Sequence, residues 1–116
     1  MNNKTFSFKE IDIEGINTLN VLSHANKLNF WFYQTIKPFC IGKLLEIGSG
    51  IGNISEFFIR NNREINLSDL RANHLEFITN RFPDFNQNNF FLLDLVDSHF
   101  DEIHKDKFNT FDTIFA

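Results

Sequence analysis

Residues 44–53 read Leu-Leu-Glu-Ile-Gly-Ser-Gly-Ile-Gly-Asn, and this stretch decides the fold. The run Leu44–Ile47 is apolar except for one acid, and three of the chain's five glycines follow it at alternating positions. A short apolar run that breaks into glycines is typical of a buried strand entering a tight loop. Past the glycines, apolar residues recur at helical spacing, at Ile54, Phe57 and Phe58. The stretch therefore predicts a strand–loop–helix unit, in which glycines without a Cβ let a large, flat ligand approach the backbone.

The spacing of this loop resembles a known cofactor-binding motif. The pattern Glu-x-Gly-x-Gly-x-Gly over residues 46–52 is similar to motif I of the class I S-adenosylmethionine-dependent methyltransferases. Residues 29–39, Asn-Phe-Trp-Phe-Tyr-Gln-Thr-Ile-Lys-Pro-Phe, lead into residues 42–46 and resemble the entry helix of bacterial small-molecule methyltransferases of that class. The resemblance extends from about residue 26 to the end of the chain. It implies a Rossmann-like fold, S-adenosyl-L-methionine as cofactor and a small molecule as methyl acceptor.

The composition is that of one globular domain. With 116 residues the chain can just bury its own core, and a content of 42% hydrophobic and 22% charged residues argues against disorder. The 16 phenylalanines are interpreted as core residues, with an aromatic ligand box as the alternative.

Charge and cysteine content exclude several kinds of site. The net charge is −4 and the lysines and arginines are scattered, which argues against a nucleic-acid-binding surface. Cys40 is the only cysteine, so no internal disulfide and no cysteine-based zinc site can form.

The histidines lack the spacing of metal ligands, so we expect them on the surface and predict no metal. They are His24, His74, His99 and His104. Without an apolar leader or a long apolar window, we expect no membrane span and a cytoplasmic location.

The chain is predicted to divide into two parts. Residues 1–42 would form an N-terminal arm and helices, and residues 43–116 a cofactor-binding Rossmann-like methyltransferase domain. The arm is expected to be irregular over residues 1–15, and residues 16–39 are expected to be helical until Pro38 ends them. The apolar stripe of this helical segment is predicted at Leu19, Leu22, Ala25, Leu28, Phe32 and Ile36.

In the second part, apolar runs alternate with helical periodicity. Strands are predicted at residues 43–47, 64–67, 90–93 and 113–115. Helices are predicted at residues 51–60 and 70–81, the latter with Leu75, Ile78 and Phe82 on one face, and a short one within residues 98–107. This alternation indicates an α/β fold, a doubly wound, mostly parallel sheet of about four strands preceded by N-terminal helices. In such sheets ligands bind at the carboxyl ends of the strands.

The resembling family has seven strands in the order 3-2-1-4-5-7-6, and this chain matches it only as far as strand four. The domain is therefore expected to be truncated after strand four, without the half that usually carries the acceptor site. Strand four would then be an exposed apolar edge, so we expect self-association or marginal stability.

Asp69 is the first candidate outside the loop. It follows Glu46 by 23 positions (69 − 46) and ends the second predicted strand. A carboxylate about 20 residues past the glycine loop of a βαβ unit can reach a ribose, and it can accept hydrogen bonds from both hydroxyls. By resemblance, Asp69 would bind the ribose of S-adenosylmethionine. The alternative is that Ser68 or Asp69 caps the following helix, and the two roles can coexist.

The resemblance also assigns an adenine subsite. Asp94 ends the third predicted strand and would accept a hydrogen bond from the adenine amino group. The backbone N–H of Leu95 would meet a ring nitrogen, and Leu70 would pack on the adenine face. The alternative for Asp94 is a solvated turn acid, because Asp97 follows closely.

The methionine end of the cofactor is assigned to the loop itself. By resemblance, Glu46 faces the region where the ammonium group lies, and a buried carboxylate needs a partner there. The backbone of Gly48, Ser49, Gly50 and Gly52 would come close to the ligand.

Other residues receive structural interpretations. Trp31 and Tyr33 are expected to pack against the sheet, with a cover over the cofactor or acceptor as the alternative. A group of acids is expected to form a solvated rim; it consists of Asp94, Asp97, Asp101, Glu102 and Asp106. No general base is identified, so the catalytic residues and the methyl acceptor stay unassigned.

Two other functions compete with the methyltransferase. A nicotinamide dehydrogenase fragment would need Gly-x-Gly-x-x-Gly, but here the third glycine comes one position early and Asn53 stands where Gly or Ala is expected. A non-catalytic binding module could keep the fold and the cofactor site without turnover. Ligand binding without methyl transfer would distinguish this module from an enzyme.

Overall fold

The computed structural model describes residues 13–116; residues 1–12, which hold most of the predicted irregular arm, lie outside the described residues. In the described part, the α-helices are α1 (Ile13–Ser23), α2 (Asn26–Ile36), α3 (Ser55–Arg60), α4 (Asn73–Arg81) and α5 (Phe100–Ile103). The strands are β1 (Leu44–Ile47), β2 (Ile65–Asp69), β3 (Phe90–Leu92) and β4 (Thr113–Phe115). Short 3₁₀ turns lie at Lys37–Phe39, Gln87–Asn89 and Lys105–Lys107.

The four strands form one parallel sheet in the order β3-β2-β1-β4. In β1, Leu45 lies opposite Asn66 of β2 on one side and Ile114 of β4 on the other. The chain steps from β1 through α3 to β2 and through α4 to β3, then returns to the far side of β1. The predicted α/β, doubly wound fold is confirmed, and the strand order reverses beside β1, where such sheets bind ligands.

The N-terminal helices begin and break at positions that differ from the prediction. α1 includes Ile13, which lies inside the predicted irregular arm, and residues 24–25 separate α1 from α2. The side-chain amide of Asn29 donates to the backbone carbonyl of Leu22 at 2.9 Å. This bond ties the two helices together across the break.

The break also changes which face of α2 is buried. The predicted stripe is wrong at Leu22, Leu28 and Phe32, which are exposed, whereas Ile36 packs against the core as predicted. Asn29 and Tyr33, four residues apart, are the buried positions of α2 instead. Because residues 24–25 interrupt the helix, the phase of α1 does not predict which residues of α2 are buried.

One face of the sheet carries the main core under α2, α3 and α4. Its fully buried apolar side chains come from β1, α3, β2 and α4, at Leu44, Phe58, Leu67 and Ile78. Tyr33 stacks on Phe57 with 5.1 Å between ring centroids and meets Phe58 edge-on at 4.9 Å. The predicted face of the helix after β2 is confirmed, because Leu75 and Phe82 pack against this core beside Ile78. Each such buried side chain contributes about 1.5–3 kcal/mol to folding.

The interpretation of the aromatic residues is confirmed only in part. Phe58 and Phe90 belong to the core, whereas Phe39 is 78% exposed. Tyr33 packs inside the protein as expected, but Trp31 is 58% exposed and does not lie against the sheet. The abundance of phenylalanine therefore does not by itself identify core positions.

The opposite face of the sheet is covered less completely. Leu45, Phe91 and Ile114 point to this face, where a hollow of about 540 Å³ opens beside α5. β4 is an edge strand of the described sheet, and Ile114 is 58% exposed. The short helix predicted within residues 98–107 is α5 followed by a 3₁₀ turn.

Several element boundaries near the carboxyl edge also move. β2 extends to Asp69, two residues past the predicted end, so the acid is part of the strand. α3 begins at Ser55 and not at residue 51, because the backbone still turns through glycines with positive φ up to Gly52. α4 begins at Asn73, three residues later than predicted. These differences lengthen both loops at the carboxyl edge.

Candidate functional site

The glycine loop leaves β1 at the carboxyl edge and exposes its backbone at one position. Gly48 has a φ of +72°, which favours glycine, and its N–H and that of Ser49 both donate to the carbonyl of Ser68 at 2.9 Å. A Cβ added to Gly48 would meet no atom within 4 Å. The space beside Gly48 is therefore open, and a ligand can approach the main chain there.

The other loop glycines pack against protein. A Cβ on Gly52 would lie 2.7 Å from the ring of Phe82, and one on Gly50 would lie 3.1 Å from Leu19. Gly52, which the sequence placed at the cofactor, therefore permits close packing of the loop on the end of α4. Of the three glycines, Gly48 is the one where an added Cβ would point into open space.

Asn53 holds the loop between two helices. Its side-chain N–H donates to the carbonyl of Leu19 in α1 at 3.1 Å, and its carbonyl oxygen accepts from Arg81 in α4 at 2.7 Å. The same guanidinium donates to the carbonyl of Ile51 at 3.2 Å. A glycine or alanine at position 53, as the dehydrogenase pattern expects, could not make these side-chain bonds.

The carboxylate of Asp69 lies directly beside the glycine loop. Its Oδ2 accepts from the backbone N–H of Gly50 at 3.0 Å, and its Oδ1 accepts from that of Arg71 at 3.1 Å. Nδ1 of His74 lies 3.1 Å from Oδ1. Burial by itself would raise the pKa of Asp69, but the contacts with His74, Arg71 and Gly50 outweigh it and lower the pKa. Asp69 is therefore an oriented, ionised carboxylate at neutral pH.

The alternative interpretation of this region as a helix cap is wrong. The N-cap residue of α4 is Ala72, and no side chain caps that helix. Asp69 instead accepts from Arg71, two residues ahead, and so turns the chain before α4 starts. Ser68 is fully buried and donates to the carbonyl of Glu46 at 2.8 Å.

Glu46 is the second buried carboxyl of the site, and its partner is a serine. The hydroxyl of Ser55, the first residue of α3, donates to Oε2 of Glu46. Burial raises the pKa of Glu46 to about 7, the Ser55 hydrogen bond opposes this increase, and the negative charge of Asp69 adds to it. Glu46 therefore exchanges its proton near neutral pH, whereas Asp69 stays charged.

The residues assigned to adenine lie together at the ends of β2 and β3. The N–H of Leu93 donates to the carbonyl of Asp69 at 2.9 Å and joins the two strand ends. Beside this bond, a hollow of about 200 Å³ is lined by apolar side chains and two acids. Leu70 and Asp94 line it, whereas Leu95 lines the larger hollow beside α5, which shares Leu93 and His104 with the smaller one. Oδ1 of Asp94 accepts from the N–H of Val96 at 3.1 Å, as a turn acid does.

The prediction that all four histidines lie on the surface is wrong for two of them. His74 and His104 are buried, whereas His24 and His99 are exposed. His74 lies four residues before buried Ile78 on α4, so helical spacing from the core could have identified it. His104 lines the hollow at the ends of β2 and β3, and its Nδ1 has no hydrogen-bond partner.

The predicted rim of acids is mixed in exposure. Its last three members are exposed, at Asp101, Glu102 and Asp106, whereas Asp94 and Asp97 are half-buried. The two half-buried acids are those that line the smaller hollow. They therefore belong to the candidate site and not to the solvated rim.

Three comparisons of the chain with known proteins found nothing similar. No family model, no curated protein and no solved structure matches the chain. Within residues 13–116, no group of histidine, cysteine, aspartate or glutamate residues could hold a metal ion. No helix in that same range is long and apolar enough to cross a membrane.

Proposed function

We propose that this chain is the cofactor-binding part of an S-adenosylmethionine-dependent methyltransferase that acts on a small-molecule acceptor. One observation carries the proposal: the N–H of Gly50 donates to the Asp69 carboxylate at 3.0 Å, beside the open side of Gly48. The loop after β1 and the acid that ends β2 thus form one structure at the carboxyl edge. Doubly wound proteins bind nucleosides with this pair of features.

The ribose would bind at Asp69. A carboxylate offers about four acceptor positions, and Asp69 has contacts from Gly50, Arg71 and His74. One position, on Oδ2, is therefore left for a ribose hydroxyl, because Arg71 and His74 both contact Oδ1. The lowered pKa of Asp69 keeps it an acceptor throughout the neutral range.

The adenine ring fits the hollow at the ends of β2 and β3. Its walls are mostly apolar, which suits the two faces of a flat ring, and Asp94 supplies an acceptor for an amino group. Leu70 follows Asp69 directly, so the ring and ribose subsites are adjacent along the chain. His104 also lines this hollow, although the sequence did not indicate it.

The methionine end would lie toward Gly48 and Glu46. Glu46 lies two residues before Gly48, the open glycine. Among residues 13–116, no lysine, arginine or histidine forms an ion pair with Glu46. A pKa of about 7 lets Glu46 release its proton when a cation such as an ammonium group approaches. The buried carboxyl therefore suits the positive end of an amino acid moiety.

When bound, S-adenosylmethionine supplies a methyl group activated by its sulfonium. The residues of this chain would hold the ribose and adenine, orient the reacting end beside Gly48 and exclude water from it. We assign no general base. A cytoplasmic location and a metal-free site complete the proposal.

Calorimetric titration with S-adenosylhomocysteine tests the cofactor site. We expect binding in the micromolar range, about −8 kcal/mol, and its loss in Asp69→Ala and Asp69→Asn. Asp112→Asn is the matched control, because this acid accepts from the N–H of Lys43 at 2.7 Å at the opposite end of β1. A folded chain that binds NAD in preference, or binds neither ligand, would overturn the proposal. Binding without methyl transfer to any small molecule would favour a non-catalytic module.

A further inference from the structure

We propose that His74 is a positioning residue, which holds the Asp69 carboxylate in the orientation that accepts a ribose hydroxyl. This inference rests on the proposed function, because it names a residue that acts on the ligand through Asp69. Sequence analysis placed His74 on the surface, so neither the motif nor the resemblance drew attention to it. Its position in the fold is what indicates the role.

His74 contacts the carboxylate from inside the protein. It lies in the first turn of α4, is 3% exposed, and its Nδ1 is 3.1 Å from Oδ1 of Asp69. One turn further along α4, Ile78 is fully buried in the core. The helix is thereby anchored under β2, and the imidazole cannot turn away from Asp69 without disturbing the core.

The three contacts of Asp69 differ in kind. Gly50 and Arg71 donate backbone N–H groups, one to each oxygen, and both belong to loops. His74 is the one side-chain contact among these three, and it comes from a helix. Loop backbones move more readily than a helix packed on a core, so His74 supplies the rigid reference for the carboxylate.

The surroundings of the imidazole determine which nitrogen carries the proton. Both ring nitrogens are buried without a partner in hydrogen-bond geometry, but Nδ1 lies 3.1 Å from Oδ1 of Asp69, an oxygen that only accepts. A proton on Nδ1 faces this carboxylate and leaves a bare acceptor at Nε2, which costs less than a buried unpaired N–H. From the surroundings of the two ring nitrogens, we assign the proton of His74 to Nδ1.

A fixed carboxylate binds a rigid diol more tightly because less freedom is lost on binding. If His74 acts in this way, its removal must weaken the binding of ligands that carry ribose hydroxyls. Ligands without these hydroxyls do not use the orientation of Asp69, so their affinity should not change. This selectivity separates positioning from general support of the fold.

The experiment compares S-adenosylhomocysteine with its 2′,3′-dideoxy analogue by calorimetry. We expect His74→Leu to weaken binding of S-adenosylhomocysteine about tenfold, as for one hydrogen bond to a charged group, and to leave the dideoxy analogue unaffected. His74→Asn places an amide N–H near the position of Nδ1 and should restore the affinity. His74→Gln places its amide nearer the position of Nε2 and should not restore it. If the leucine variant does not fold, the asparagine and glutamine variants carry the same comparison.

Ile65→Ala is the control for stability, because this buried residue lies outside α4, at the opposite end of β2 from Asp69. It should lower the melting temperature and leave the ratio of the two affinities unchanged. Equal losses for both ligands in His74→Leu, tighter binding in that variant, or no rescue by asparagine would overturn the inference alone. A folded wild-type chain that binds neither ligand would overturn the proposed function and the inference together.

Discussion

The buried carboxyl of Glu46 should make the stability of this protein fall as pH rises toward neutrality. Its ordinary pKa is 4.5, and burial raises the value to about 7 in the folded protein. Between these two values the folded state keeps a proton that the unfolded state has lost. The stabilisation is therefore fully present below pH 4.5 and is lost as pH rises through about 7.

The size of the effect follows from the same two pKa values, 4.5 and about 7. They differ by roughly 2.5 pH units, and each unit corresponds to about 1.36 kcal/mol, so the contribution is about 3 kcal/mol. Small domains are stable by about 5–15 kcal/mol, so this loss is a large share of the total. A change of this size is readily measured.

The matching perturbation is Glu46→Gln, which has the shape of the protonated acid and does not titrate. Urea unfolding followed by circular dichroism should show the variant and the wild type within about 1 kcal/mol of each other at pH 5. At pH 8 the variant should be the more stable of the two by about 3 kcal/mol. Other titrating groups are common to both chains, so they cancel in this difference to first order.

A difference in stability that does not change between pH 5 and pH 8 would refute the reasoning. It would mean that Glu46 is charged in the folded protein at both pH values, and that the Ser55 hydroxyl outweighs burial. A larger deficit of the variant at pH 8 than at pH 5 would refute it as well. Ser55→Ala provides a second check, because removal of the hydroxyl should raise the pKa of Glu46 further.

The loop, the core and the sheet edge each give a further prediction. Gly52→Ala should lower stability by about 2–3 kcal/mol, because its Cβ would lie 2.7 Å from Phe82. Gly48→Ala should lower it by about 1–2 kcal/mol, for its positive φ alone. Thermal unfolding compares the two variants, and equal losses would contradict the assignment of Gly48 as the open glycine. Phe58→Ala should cost about 3–5 kcal/mol in urea unfolding because the ring is fully buried, and a loss below about 1 kcal/mol would contradict its place in the core. If the chain self-associates, Ile114→Lys should shift it toward the monomer in analytical ultracentrifugation without loss of stability, since Ile114 is 58% exposed on the edge strand.

The sequence by itself determined the elements whose signals are local. The apolar run 44–47 and its glycines predicted a strand and its loop, because burial pattern and positive φ depend on neighbouring residues. The alternation of strands and helices predicted the parallel sheet, and the strand order β3-β2-β1-β4 agrees with it. The placement of Asp69 at the end of a strand followed from the same pattern.

One error arose where a pattern had to be carried across an irregular segment. The apolar stripe of residues 16–39 was extended through residues 24–25, where the helix is interrupted and the phase is lost. Asn29, which lies outside the predicted stripe, is buried on α2, and its side-chain amide donates to the carbonyl of Leu22. A polar residue in a buried position can be recognised only when its partner is known.

The tertiary structure alone decided which groups of the site meet and what state they are in. The Gly50 N–H reaches Asp69 from 19 positions away, and Ser55 reaches Glu46 only because α3 folds back onto β1. The pKa of Asp69 is lowered because its contacts with His74, Arg71 and Gly50 outweigh burial. The pKa of Glu46 is raised because burial outweighs its single hydrogen bond from Ser55. Local sequence patterns therefore determine the course of the backbone. The protonation states of the site are determined by burial and by hydrogen bonds between residues far apart in sequence, and these depend on the whole packed fold.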